Sequence, residues 1–197
     1  MRERGKAWFL KGMSLPELIA AMIIVSFLSG ILVVMLLAGK KTYQASVARG
    51  KGRQDLTAAM YNITEDLKDT RLSFVTVSAD RRAFSAISAY DTSGTFTTDT
   101  VTGAPVWKKF VVYYLKAGTT NLMRREVYGT FTAALTADEL TAQCNGTGKL
   151  VASDVLSLSI ATDAINKSMT LSVTVRNTSR HGTIDEQTQQ AVIYPAN

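Results

Sequence analysis

Twenty-two consecutive residues, Leu18 to Gly39, carry no charge: LIAAMIIVSFLSGILVVMLLAG. As an α-helix this run is about 33 Å long, enough to cross a hydrocarbon core of about 30 Å. It is apolar on every face, whereas a helix lying on a soluble core shows one apolar stripe. It also exceeds the roughly 7–15-residue apolar region of a secretory signal peptide. Leu36-Leu37-Ala38-Gly39 has the look of a lipoprotein cleavage box, but Lys40 follows instead of Cys, so no thiol is there to take lipid. A membrane-crossing helix is the expectation, and a buried core helix is the competing reading.

Charge is distributed around this run. Residues 1–12 are net +3, residues 40–53 net +5 and residues 54–197 net −1, out of +6 for all 197 residues. The distal part is therefore not a basic surface, and no nucleic-acid binding by it is expected. Four basic residues on one flank face five on the other, so charge alone does not orient the span. With one Cys and one His, neither an internal disulfide nor a zinc site of several thiolates or paired histidines can be built.

Glu17 abuts the apolar run, after Gly12-Met13-Ser14-Leu15-Pro16. A carboxylate at the edge of a membrane helix is costly unless paired. One explanation is a capping box with Ser14 as N-cap and Glu17 at N3, where Pro16 is tolerated in the first turn and the negative charge faces the positive end of the helix dipole. Within the span, Ser26 and Gly30 form a small-xxx-small pair of the kind that lets helices approach closely in lipid.

The stretch KGMSLPELIAAMIIVSFLSGIL resembles the N-terminal signature of type IV prepilins and type II secretion pseudopilins. That signature is a short basic leader ending in Gly, then a hydrophobic residue, three more residues, Glu, and about twenty apolar residues. The resemblance implies a leader over residues 1–12, cleavage by a prepilin peptidase between Gly12 and Met13, and N-methylation of Met13. It also implies an assembly role for Glu17, paired with the N-terminal amine of a neighbouring subunit. Pairing would neutralise two charges that are each unfavourable in lipid and would favour one axial register. Met13 stands where Phe is commoner, and Pro16 falls in the first mature turn.

Beyond the span, Leu56, Met60, Ile63 and Leu67 fall at helical spacing, so residues 40–70 read as a continuation of the helix, half of it amphipathic. Gly50 and Gly52 suggest a hinge or a loop there, since each glycine weakens a helix by about 1 kcal/mol relative to Ala. Glu65, Asp66 and Asp69 read as a solvated face of that helix. From residue 71 to 197 the signals are β, with Ser and Thr about a fifth of the whole chain. Expected strands are Ala83–Tyr90, Trp107–Leu115 with Leu122–Tyr128 as a hairpin about Ala117–Thr120, Val155–Ile160 with Leu156, Leu158 and Ile160 on one face, Met169–Val175, and a short last strand at Ala191–Tyr194. Thr136-x-x-Glu139 suggests a capped helical turn.

The expected fold class is α+β: a long N-terminal helix, with a transmembrane or filament-core part at 13–39, packed on an antiparallel β-sheet head. The resemblance implies a pilin-like fold. The order of helix, long loop, Tyr-Tyr-Leu hairpin and late strands ending at Arg176-Asn177 is similar to large-headed minor members, the J-type pseudopilins and W-type minor pilins. The implied function is a minor pilin or pseudopilin that primes or caps a type IV pilus-like or type II secretion filament. Its implied partners are prepilin peptidase, other pilins through the N-terminal helix, and the inner membrane with its assembly platform. The head would be extracytoplasmic, anchored in the bacterial inner membrane before assembly. The alternative is an uncleaved signal-anchored extracytoplasmic binding domain.

No enzyme is expected. There is no G-x-S-x-G elbow, and Asn145–Leu150 lacks the first Gly of a phosphate loop and has Leu150 where a Ser or Thr must hold magnesium. No cofactor is expected; Asp91 and Asp99 leave calcium open without EF-hand spacing. His181 sits in a polar loop, and Cys144 is either a small buried hydrophobe or paired with another molecule. The four N-x-[ST] sequons at Asn62, Asn145, Asn166 and Asn177 read as compositional.

Overall fold

The computed structural model describes residues 14–178 and 184–195. The fold is α+β, a long N-terminal helix followed by antiparallel sheets. Helix α1 covers Leu15–Lys68, 54 residues, and contributes to both of the compact units into which the chain divides, Met1–Gln44 and Ala45–Asn197. It is helical through Gly50 and Gly52, which excludes the loop that was one of the two readings there. Helix on both sides already supplies the nucleus, and a break would free up to four C=O groups at the new C-terminal end and up to four N–H groups at the new N-terminal end. Those costs outweigh the propensity penalty of two glycines. Gly52 is itself buried, in line with the apolar face at Leu56.

In the second unit a 3-10 turn (Leu72–Phe74) leads into β1 (Thr76–Val77), β2 (Ala83–Ser88), β3 (Lys109–Leu115) and β4 (Leu122–Tyr128). Helix α2 (Ala137–Cys144) and β5 (Lys149–Ala152) follow, then β6 (Val155–Asp163), β7 (Ser168–Thr178) and β8 (Ile184–Ile193). A single sheet was expected; there are two, a five-stranded sheet ordered β1-β2-β3-β4-β5 and a three-stranded sheet ordered β6-β7-β8, antiparallel throughout. They separate at Ser153-Asp154, where Asp154 takes φ +59°, and β6 is tied back when Val155 N–H donates to Thr120 O at 2.7 Å.

The main core lies between the distal part of α1 and the inner faces of both sheets. Leu56, Ala59, Met60, Ile63 and Leu67 supply the helix side; Phe84, Val111, Tyr113, Leu158, Leu171 and Val173 are among the strand residues they join. A second core lies on the other face of the first sheet, where Ile87, Phe110, Val112 and Tyr114 pack with Leu140 of α2 and with Trp107 and Phe131. Strands covered on both sides need no alternation. This is why Phe84 and Ile87 are out of step in β2, and why β3 is apolar on consecutive positions.

α2 starts on a complete capping box: Thr136 Oγ1 accepts from Glu139 N–H, and the Glu139 carboxylate accepts from Thr136 N–H at 2.8 Å. It runs two turns, longer than the single turn expected. The β3–β4 hairpin pairs from Lys109↔Tyr128 to Leu115↔Leu122, with Gly118 at φ +71° in the turn, a value that favours glycine. Two strand expectations are corrected. A bulge between Val155 and Ser157 puts Val155, not Leu156, into the core with Leu158 and Ile160. The last strand starts at Ile184 rather than Ala191, and pairs with β7 at all ten of its positions.

Candidate functional site

Two places carry the chemistry that a function can use, one in each unit. In the first unit, every large apolar side chain from Leu15 to Leu37 is exposed, between 40% and 74%. No charged side chain interrupts this surface between Leu18 and Gly39, and among the described residues α1 is the one helix long and apolar enough to cross a membrane. Water is not a stable environment for such a surface; lipid or other apolar helices are.

At its start the Glu17 carboxylate accepts from Ser14 N–H and from Ser14 Oγ–H, both at 2.9 Å, while Leu18 N–H donates to Ser14 O at 3.1 Å. This is the reaching-back half of a capping box. One carboxylate oxygen takes both of these bonds, so the other stays open to a further donor. Ser26 and Gly30 lie one turn apart on α1, and a Cβ at Gly30 would meet nothing within 4 Å, which leaves a shallow open notch. Gly12 and Met13, and with them the expected cleavage and methylation site, lie outside the described residues, as do the rest of the leader and His181.

In the second unit a polar network crosses from helix to sheet. Asp66 Oδ2 accepts from Tyr113 Oη at 2.6 Å and from Arg124 Nε at 2.8 Å, and Asp66 Oδ1 accepts from Arg124 Nη2 at 3.1 Å. Arg124 Nη1 lies 2.8 Å from Glu126 Oε1, which also accepts from Lys109 Nζ at 2.9 Å, and Glu126 Oε2 accepts from the Tyr128 hydroxyl. Burial pushes the Tyr113 phenol well up, and the Asp66 charge adds to it. Burial opposes the Arg124 charge, but the bonds to Asp66 outweigh it and hold the guanidinium protonated. Burial likewise works against the Glu126 charge, yet the Tyr128 and Lys109 bonds and the Arg124 charge bring its pKa down to about 2.

The carboxylates of α1 are thus not one solvated face. Asp66 is the two-oxygen anchor for Arg124; Glu65 pairs with Lys68 at 2.8 Å, and Asp69 has its carboxyl pushed up by burial and by Glu65 and Asp66. Arg124 lies 58 residues from Asp66, so no local spacing could reveal the pair.

The remaining polar groups have structural occupations. Asp91 accepts from the Ser93 and Thr95 amides at 2.8 and 3.0 Å, and Asp99 from the Val101 and Thr102 amides at 2.9 and 2.7 Å, each closing its own turn. The Asp91 carboxyl is held below the usual range first by the Ser93 hydroxyl, which donates to it at 2.6 Å, and then by these amides; the Asp99 carboxyl is held down first by the Thr102 amide. Among the described residues no group of three or more His, Cys, Asp or Glu side chains could hold a metal ion. At the phosphate-loop-like Asn145–Leu150, Tyr114 donates its hydroxyl to Gly146 O at 2.7 Å, and a Cβ at Gly146 would lie 1.7 Å from Arg125 Nη1. The glycine there makes room for a neighbouring arginine. Cys144 is half-buried, its Sγ donates to Leu140 O at 3.2 Å, and burial pushes its thiol up.

Comparison of the chain with protein-family models, with curated proteins and with solved structures finds no match.

Proposed function

We propose that the chain is a minor pilin or pseudopilin. In this reading it is a non-enzymatic structural subunit that primes or caps a type IV pilus-like or type II secretion filament after removal of residues 1–12. The observation that carries the reading is the coincidence at the N-terminus: a basic leader, Gly12, Glu17 at the head of a 22-residue uncharged run, and a helix that continues past that run for a further 29 residues. The pilin-like identity of the head is part of the same reading, supported by the amphipathic half of α1 lying on antiparallel strands.

Before assembly, α1 anchors the chain in the bacterial inner membrane with the head extracytoplasmic. During assembly the apolar half leaves the bilayer and buries the same side chains against neighbouring helices, with Ser26 and Gly30 as the closest approach. Glu17 has one oxygen turned to its own Ser14, and the other is available to the Met13 amine of an adjacent subunit. Prepilin peptidase, other pilins and the assembly platform are the partners.

The test is the mature N-terminus. Intact mass and N-terminal sequencing of the membrane-extracted protein should show loss of residues 1–12 and a methylated Met13. Gly12→Val should leave the leader attached, because the peptidase needs a residue without a side chain at that position. Met1 retained on the wild-type protein in cells with an active prepilin peptidase would overturn the reading in favour of an uncleaved signal-anchored binding domain. The Ser14–Glu17 bonds are the observation that favours that second reading, since they satisfy Glu17 within its own chain.

A further inference from the structure

The four sheet edges of the head are not treated alike. β1 is two residues long, and β5 is four residues and carries Lys149. β6 is bulged near Leu156 and tied at its start to Thr120. Short length, lysine and bulges are the usual ways in which a protein blunts an open strand edge. β8 is neither short, lysine-bearing nor bulged, and its charged side chains, Asp185 and Glu186, are confined to its first three residues. It is ten residues, IDEQTQQAVI, without Lys, Arg or Pro, in unbroken register with β7, and no described strand pairs with its other side.

The face of β8 toward α1 borders an open polar groove. Two adjoining cavities of about 650 and 390 Å³ share Arg53 and Gln187. Arg49, Gly50, Thr57 and Gln189 complete the stretch that matters. Asp185 is already engaged: Arg49 Nε lies 3.3 Å from its Oδ2, and Gln187 Nε2 donates to the same oxygen at 3.3 Å. Arg53 has no carboxylate partner among the described residues. The groove is thus lined by amides, hydroxyls and the Arg49–Asp185 pair, with Leu56 at one end, around Arg53 as its one cation without a carboxylate partner among the described residues.

We infer that the β8 edge is a docking site for an extended acidic segment of another protein, added as a further antiparallel or parallel strand. Main-chain bonds to β8 would supply affinity, as in strand addition generally, and side chains would alternate between the two faces of the sheet. Those on the α1 side enter the mouth of the groove, where a Glu or Asp meets Arg53. Basic occupants are disfavoured by Arg49 and Arg53. A second copy of the chain is a poor occupant, because the only acids on its β8, Asp185 and Glu186, are bonded to Arg49 and Arg176. The inference concerns the head alone and does not depend on filament assembly.

The experiment uses the full-length protein in detergent micelles and hydrogen exchange read by mass spectrometry. The probe is a seven-residue peptide alternating Glu with Thr or Val, at millimolar concentration. Exchange across Ile184–Ile193 should slow by about tenfold or more on addition. The same peptide with Lys in place of Glu should protect weakly, and Arg53→Glu should exchange the two preferences by about tenfold each. The Glu peptide N-methylated at every second residue should lose protection, because it cannot complete the ladder. Arg53→Glu is exposed on α1, and its fold is checked by an unchanged melting temperature. Equal protection by the N-methylated peptide, indifference to Arg53→Glu, or no protection by either peptide overturns the inference. So does protection without peptide in a sample whose mass is that of a dimer, which would assign the edge to self-pairing.

Discussion

The two parts of α1 are one helix by backbone geometry and two different objects by side-chain chemistry. Between Leu15 and Leu37 every large apolar side chain is exposed; at Leu56, Ala59, Met60, Ile63 and Leu67 exposure is 4% or less. The distal part uses a stripe at helical spacing, because its partner is a sheet on one side. The proximal part uses all sides, as a helix does when its surroundings are apolar in every direction. Every buried hydrophobic residue among those described lies between Leu56 and Ile193. The head therefore owns its core, and the apolar half of α1 adds nothing to it.

The largest effect that separates the two parts is a cavity in the distal one. Ile63→Ala, at a fully buried position, should destabilise the head by about 2–5 kcal/mol in urea unfolding followed by Trp107 fluorescence. Leu28→Ala should leave the same transition within about 0.5 kcal/mol. The comparison is made on the full-length protein in detergent micelles; Ile63→Ala can be measured again on residues 45–197, which should be soluble and give a circular-dichroism spectrum dominated by β signal. A collapsed, helix-dominated spectrum would show that the apolar half is needed for the head to fold.

Next in size is the pH dependence of the network that clasps distal α1 to the sheet. Glu126 has its pKa lowered from 4.5 to about 2 in the folded head. A depressed carboxylate contributes stability that is present above pH 4.5 and is lost as pH falls toward 2, on the order of 1–2 kcal/mol once solvent screening of this partly exposed group is allowed for. Wild type should therefore lose stability through that window more steeply than Glu126→Gln, whose baseline is lower at pH 7. Parallel pH profiles for the two would remove Glu126 from the clasp. The run Leu18–Gly39 holds no titratable side chain, so its membrane partition should be indifferent to the same substitution.

Gly50→Ala should have the smallest effect. The position is helical, and a Cβ there meets nothing within 4 Å. The substitution should raise head stability by up to about 1 kcal/mol through helix propensity. If filament or complex formation falls while stability rises, flexibility at Gly50 is a requirement of function rather than a tolerated weakness.

How far each element was legible follows from where its partner lies. The distal stripe of α1, strict alternation in β7 and the β3–β4 hairpin are written in local periodicity, and the structure carries all three. β8 was read only at its apolar end because its α1-facing positions, Asp185, Gln187 and Gln189, border a polar groove rather than the core. Hydrophobic alternation is absent, and the ladder to β7 alone defines the strand. Leu156 was misplaced because a bulge shifts the inward positions by one residue, which period-two reading cannot anticipate. Asp66 looked like its neighbours because Arg124 and Tyr113 reach it only through folding. At the N-terminus the pattern Gly12…Glu17 plus the uncharged run is local, so the sequence carries it in full; Glu17's bonds to Ser14 add only how its carboxylate is held within the chain.

Those bonds make Glu17→Gln the decisive substitution. Gln also serves at N3 of a capping box, so a residue that only caps should tolerate the change. A residue that neutralises a neighbour's amine leaves that amine unpaired in a low-dielectric setting, at a cost of roughly several kcal/mol. The measurement is the ratio of sheared-filament or complex-bound protein to membrane-bound protein, for Glu17→Gln against wild type. Cleaved protein that stays in the membrane with a ratio lowered by about tenfold or more is the expected result; equal ratios would contradict an assembly role for Glu17 and leave it a helix cap.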